Sequence, residues 1–248
     1  MVLILLLGMM LAAIITLQKW DKGGGESIKF SGYDWYVKDS GNAKWGPGPN
    51  VWSKDNVWID QQGRLHLRIT KRHGVWTCPE LYSAETLGYG TYRFYIDGRI
   101  DNLDPNAVLG LFTHDSLSED ANDVHYREID IEYAKWGNAG NRNNAHYTVQ
   151  PYNKEGNLHS FHSPAVTQSM HSFTWKADEI TFNSSTGHVT GKGTTIQEWR
   201  YRGDDIPDSK NERVDINLWL FKGKAPASNN VEVIIRKFEF IPWTGSNS

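Results

Sequence analysis

The sequence predicts an all-β domain built as two packed antiparallel sheets, and three observations carry that expectation. No stretch of about a dozen residues keeps a 3.6-residue apolar period, so the pattern holds no amphipathic helix. Many short runs instead alternate apolar and polar residues, or are rich in β-branched and aromatic ones, with turn-forming residues between them. The length of 248 residues suits one large sandwich. No internal repeat of roughly 20 to 50 residues points to a propeller or solenoid.

Residues 1–17 are almost wholly apolar. That run is near the lower limit for a membrane-spanning helix and also matches the centre of an export signal. Gly23, Gly24 and Gly25 then read as a flexible tether. Residues 1–26 are therefore expected to be a signal or membrane anchor with its tether. The folded domain is expected over 27–243, outside the cytoplasm, secreted or anchored through residues 1–17.

Within that domain, Leu65, Leu67 and Ile69 of the run 64–70 face one way, and Arg64, His66, Arg68 and Thr70 the other. The run 91–97 repeats the pattern with Tyr92, Phe94 and Ile96. Further strands are predicted over 108–113, 128–133, 145–149, 172–176, 180–183, 214–221 and 231–241. Turn-rich stretches separate them, among them 44–50 and 203–208.

Composition narrows the function. Hydrophobic residues at 39% and charged ones at 22% are ordinary for a folded protein and too apolar for a disordered one. With 26 basic against 29 acidic residues the net charge is −3, which gives no surface for neutralising phosphates, so nucleic acid is not an expected partner. The single cysteine, Cys78, excludes an internal disulfide and any multi-cysteine zinc site. The 11 Trp and 11 Tyr are numerous. Most of the Trp are expected in a wide core and a minority on a surface, where a flat ring is a platform for a sugar.

The most informative stretch is 126–133, Tyr-Arg-Glu-Ile-Asp-Ile-Glu-Tyr. Side chains alternate along a strand, so Glu128, Asp130 and Glu132 share one face while Ile129, Ile131 and Tyr133 share the other. A buried apolar face fixes the register, because a one-residue slip would bury all three acids. Four residues of strand separate the two glutamates by roughly 13 Å along the axis. Retaining glycosidases need carboxyl groups about 5 to 5.5 Å apart, and side chains leaning together across a twisted, concave strand close much of that gap. Crowded acids also supply opposite protonation states at one pH, since like charges raise the pKa of at least one member. A solvated face or a cation-binding row would read the same way.

Glu128-Ile129-Asp130-Ile131-Glu132 resembles the Glu-x-Asp-x-Glu signature of glycoside hydrolase family 16, which includes lichenases, laminarinases, agarases, carrageenases and xyloglucan transglycosylases. The form without an inserted residue is similar to the lichenase and xyloglucan branch. Other stretches of the chain, in order, add to the likeness: Asn50 to Val57, Cys78-Pro79-Glu80, the run 87–94, His171 to Trp175, and Ile216-Asn217-Leu218-Trp219. The resemblance spans about 30–242 and implies a jelly-roll sandwich with a concave substrate cleft. It implies Glu128 as nucleophile, Asp130 as its helper and Glu132 as acid/base. Asn50, Glu80, Tyr126, His146, Gln150, Asn217 and Trp219 are the implied substrate-binding residues.

Departures from the family pattern shape the rest. Tyr126 stands where lichenases tend to have Trp, and Arg127 replaces an acidic or amide neighbour. Val51 takes the place of a cysteine that some lichenases pair with the counterpart of Cys78. Arg236 falls about where some members place a calcium-binding Asp, so no cofactor or metal is expected and a structural Ca²⁺ loses a ligand. His114, Asp115, His125 and Trp136 are weaker candidates for the cleft wall, and Asn183-Ser184-Ser185 fits a glycosylation acceptor. The expected function is a monomeric retaining endo-hydrolase of a β-linked polysaccharide, with β-1,3 or β-1,3-1,4-glucans first. A transglycosylase of the same family and a non-catalytic sugar-binding jelly roll are the alternatives.

Overall fold

The computed structural model describes residues 26–117, 124–227 and 231–245. The apolar segment 1–17 and the side chain of His125 lie outside the described residues. Among the described residues no helix is long and apolar enough to cross a membrane.

The strands are β1 (Ser27–Phe30), β2 (Tyr33–Val37), β3 (Lys44–Trp45), β4 (Asn50–Trp52), β5 (Val57–Ile59), β6 (Leu65–Arg72), β7 (Val75–Cys78), β8 (Glu80–Ser83) and β9 (Gly90–Asp97). They continue with β10 (Ala107–His114), β11 (Ile129–Ala134), β12 (Ala145–Val149), β13 (Leu158–Phe161), β14 (Gln168–Trp175), β15 (Ile180–Thr186), β16 (Thr195–Tyr201), β17 (Arg213–Leu220) and β18 (Val231–Pro242). One sheet has eight strands in the order β1-β2-β8-β17-β10-β11-β12-β13. The other has ten, in the order β16-β15-β14-β9-β18-β6-β7-β4-β3, with β5 paired to β6. Only β4 and β7 pair in parallel among these neighbours. Strands far apart in sequence lie side by side, as β17 does between β8 and β10, and the two sheets stack as a jelly-roll sandwich.

Alternation explains the stacking. Ile129, Ile131 and Tyr133 of β11, Leu109 and Leu111 of β10, and Ile216, Leu218 and Leu220 of β17 point inward and are fully buried or nearly so. They meet Leu65, Leu67 and Ile69 of β6, Phe94 and Ile96 of β9, and Phe173 and Trp175 of β14 in one core. Burying so many large side chains, at about 1.5–3 kcal/mol each, is what holds the sheets together.

Where the strands differ from expectation, the reason is physical. Strand β14 begins at Gln168 rather than 172, because its polar His171 is buried and held between Ser184 Oγ and Ser169 Oγ, both at 2.8 Å. The turn-rich stretch 44–50 contains β3 and opens β4 around a short turn at residues 46–49. Strands β1, β13 and β16 lie at or near sheet edges, where one side needs no apolar partner and the alternation is weak. Trp35, Trp52 and Trp175 are wholly buried, Trp76, Trp199 and Trp219 pack against the core partly buried, and Trp45 and Trp243 are exposed. Leu, Ile, Phe and Tyr supply the rest of the core.

Candidate active site

The outward face of the eight-stranded sheet carries a cleft of about 360 Å³. Its floor is a set of cross-strand rows. In one, Glu80 of β8, Asn217 of β17, Gly110 of β10 and Glu132 of β11 follow one another across the sheet, and the row runs on past the cleft to His146 of β12. In the next, Asp215 of β17, Phe112 of β10 and Asp130 of β11 do so. Glu128 stands just before β11, and its carbonyl accepts a bond from Gln150 N at 3.2 Å, which carries the pairing one residue further. The three acids expected to share a face therefore do so, and all three line the cleft.

Space above Glu132 comes from the glycine opposite it. A Cβ on Gly110 would lie 2.5 Å from Asn217 Oδ1 and 3.3 Å from Phe112 Cδ1, so no larger residue fits while Asn217 keeps its place. Asn217 is held in turn, since its Nδ2 donates to Glu80 Oε2 at 3.2 Å. Glu80 also accepts from Lys38 Nζ at 2.5 Å, and Lys38 donates to the Gly46 carbonyl at 2.8 Å. Gln150 Nε2 donates to Asp130 Oδ2 at 3.0 Å and to Glu128 Oε1 at 3.5 Å, which ties two of the acids to the end of β12.

Aromatic rings bound the cleft at its ends. Tyr126 stacks on His114 with centroids 5.3 Å apart. Trp219 meets Trp136 and Phe221 at 6.3 and 6.4 Å. Tyr126 and Arg127 both take left-handed backbone, φ 59° and 52°, which non-glycine residues adopt at a cost. The Arg127 side chain, 1% exposed, holds that turn. Its guanidinium donates to Asp115 Oδ2 at 2.9 Å, to the Asp208 carbonyl at 2.9 Å and to Asp208 Oδ1 at 3.1 Å. The Arg127 carbonyl accepts from Thr113 Oγ1 at 2.9 Å. This buried bracing presents Tyr126 and Glu128 to the cleft.

Burial and crowding set the electrostatics. Burial pushes Glu128 well above the usual carboxylate range, and the charges of Asp130 and Glu132 add to it. Asp130 is pushed up to about 7 by burial, against hydrogen bonding from Gln150 and Glu128 that pulls it down. Glu132 is raised well above its usual range by burial and by Asp130. A fourth acid, Asp215, is raised well above its usual range by burial and by Glu80, although Lys38 and Arg213 oppose the shift. At neutral pH Asp130 is therefore only partly ionised. His114 moves the other way, down to about 4, through burial and the Lys38 charge, so its ring is uncharged at neutral pH.

Of the substrate-binding residues implied by resemblance, Glu80, Tyr126, Asn217 and Trp219 line the cleft with the acids, and Gln150 touches the acids themselves. Asn50 and His146 are not brought to the cleft lining. Asn50 is buried and donates to the carbonyls of Pro47 at 2.8 Å and Leu220 at 3.0 Å. His146 is buried with Nδ1 against Ser160 Oγ at 2.8 Å, while Nε2 takes the Trp136 indole N–H at 3.0 Å, so it positions Trp136. Asp115 is buried under Arg127, whereas His114 lines the cleft. Lys38, Phe112 and Asp215 also line the cleft without having been singled out from sequence. Asp215 was within reach of the alternation that groups Asn217 with Trp219; Lys38 had no signal, being 42 residues from its partner. Among the described residues no cluster of His, Cys, Asp and Glu could hold a metal ion. Cys78 is buried with its thiol pushed up to about 12, and Arg236 reaches toward Asp97 at 3.6 Å.

Solved structures share this architecture. A Bacillus licheniformis β-glucanase superimposes with a TM-score of 0.62 at 18% identity, covering 87% of this chain and 98% of its own. A prokaryotic β-1,3-1,4-glucanase (lichenase) from a mouse hindgut metagenome gives 0.62 at 19% identity, covering 88% and 99%. A Mycobacterium tuberculosis protein described as an immunostimulatory antigen and pseudo β-1,3-glucanase gives 0.59 at 18%, covering 82% and 88%. No family model matches the chain, and no curated protein does. At these identities the likeness establishes the fold, a jelly roll that glucanases use.

Proposed function

We propose that this chain is a retaining endo-glycoside hydrolase of a β-linked glucan, β-1,3 or β-1,3-1,4, acting outside the cytoplasm, where residues 1–17 deliver or anchor it. The observation that carries the reading is the gathering of Glu128, Asp130 and Glu132 on the floor of one aromatic-walled cleft. In the first step the Glu128 carboxylate attacks the anomeric carbon while Glu132, as the acid, gives its proton to the leaving oxygen. In the second, Glu132 takes a proton from water as that water attacks the anomeric carbon, and Glu128 leaves as carboxylate. One acid must be protonated while its neighbour is ionised. Asp130 is the group through which that division would be made: it lies within hydrogen-bonding reach of Glu128, the bond between them raises Glu128 and lowers Asp130, and the proton they share must pass from Glu128 for the attack to occur.

The test is reducing-end release from laminarin and mixed-linkage β-glucan. The reading expects cleavage with retained anomeric configuration, abolished by Glu128→Gln while binding persists. Binding without cleavage by the unaltered chain would assign it instead to sugar recognition, and preferential transfer to added oligosaccharide would assign it to transglycosylation.

A further inference from the structure

Two acceptors on the Lys38 side of the cleft lack a hydrogen-bond donor among the described residues. Asp215 lines the cleft, is 8% exposed and has no side-chain hydrogen bond among the described residues. The charged groups that face it are Glu80, Lys38, Arg213 and, among the reacting acids, Glu128. Lys38 is already bonded to Glu80 and to the Gly46 carbonyl, and Arg213 lies over the Tyr82 ring at 5.4 Å. Asn217, 2% exposed, donates its Nδ2 to Glu80, and its Oδ1 has no partner among the described residues. A buried acceptor in the state of Asn217 Oδ1 is unfavourable unless a ligand brings a donor to it.

Register fixes where that ligand lies. Asp215 is opposite Phe112, and Phe112 is opposite Asp130. The α-carbons of Asp215 and Asp130 are therefore about 10 Å apart, two strand spacings. The half-buried Phe112 ring sits between them on the cleft floor. A sugar unit resting there would have the reacting acids on one side and the two acceptors on the other.

We infer that Asp215, with Asn217 Oδ1, is a specificity subsite that takes hydroxyl hydrogens from one uncharged sugar unit and turns away a unit bearing sulfate or carboxylate. The inference rests on the glucan reading above and names what that reading leaves open, the charge of the substrate. A hydroxyl supplies a donor to each acceptor. An anionic substituent supplies only more acceptors and, whenever Asp215 is ionised, sets its charge beside that carboxylate in a poorly solvated cleft, where repulsion is weakly screened.

The experiment uses the full chain carrying Glu128→Gln and measures affinity for a carboxymethylated laminarin oligosaccharide and for its methyl ester, which differ in charge and little in bulk. The ester is expected to bind at least tenfold more tightly, and Asp215→Asn is expected to shrink that preference at least fivefold. Asp215→Ser is measured in parallel, and the unfolding midpoint of each variant shows that the fold persists. A preference unchanged by either folded variant overturns the inference. If the unaltered chain nevertheless cleaves laminarin, the glucan reading stands and only the specificity role of Asp215 falls. If the chain neither binds nor cleaves any β-glucan, the reading and the inference fall together.

Discussion

Replacing Asp130 by asparagine tests whether the cleft acids oppose folding as their burial requires. Asp130 is 3% exposed, and its carboxyl is pushed up to about 7 from a usual value of 3.8. Because the folded value is the higher one, the folded state binds the proton more tightly than the unfolded chain does. Its destabilising effect is therefore absent below about pH 4, grows as pH rises, and levels off above about pH 7. The gap of about 3 pH units corresponds to a ceiling of about 4 kcal/mol at 1.36 kcal/mol per unit. Sharing of protons with Glu128 and Glu132 brings the expected gain on substitution to about 2 kcal/mol. Asparagine keeps the shape and an oxygen that Gln150 can donate to. Urea unfolding followed by tryptophan fluorescence should show Asp130→Asn more stable than the parent by about 2 kcal/mol near pH 8 and equal to it near pH 4. A gain of the same size at both pH values, or a loss near pH 8, would refute the electrostatic account.

Three further outcomes follow from packing around the cleft. Gly110→Ala should lower stability by about 1–3 kcal/mol in urea unfolding and reduce kcat/KM, because the new methyl displaces Asn217; unchanged turnover would show that Asn217 is not needed where it stands. Arg127→Met should cost about 3–5 kcal/mol by leaving Asp115 buried and uncompensated, whereas pairing it with Asp115→Leu should recover a large part of that loss. If the double variant is no better than the single one, the bond to Asp208 and not the buried pair holds the turn. Trp219→Ala should raise KM for laminarin several-fold with little change in kcat, which substrate-saturation curves at constant enzyme would resolve.

The strand that bears the acids was legible because two rules agree on it. Period two separates Ile129, Ile131 and Tyr133 from Glu128, Asp130 and Glu132, and the core side is fully apolar. Asn217 and Trp219 were implied by the family resemblance, period two puts both on one face of β17, and carrying that alternation one step back to Asp215 would have found the fourth acid. Asn50 and His146 mark the limit of residue type as a signal. Each has the chemistry of a sugar ligand, but its partners are a pair of backbone carbonyls in one case and an indole and a serine in the other. Those partners come from strands that meet only in the folded sheet. Lys38 is illegible for the same reason, as nothing in a loop lysine announces a glutamate on β8. Edge strands escaped because an unpaired side relaxes the alternation on which strand prediction depends.

The chemistry and the emptiness of the cleft both come from one strand pairing. Strand β11 is held in register by an apolar inner face, and that register places Glu132 opposite Gly110, the position on β10 where a side chain has no room. Slipping by one residue would turn the acids inward and set Ile131 or Tyr133 over the floor, so charge and space are lost together. The acids themselves weaken this arrangement at neutral pH, since burial disfavours their charged forms. Stability must then come from elsewhere, and it does: from the two-sheet core beneath and from Arg127, buried between Asp115 and Asp208 at the entrance to the strand. A sugar that offers hydroxyl donors to Asp215 and Asn217, and a developing positive charge to Glu128, relieves the same groups that the fold strains to bury. Substrate binding should therefore raise the unfolding temperature more near pH 8, where the raised acids are more ionised, than near pH 5, and a ligand-induced shift independent of pH would break the link between folding cost and recognition.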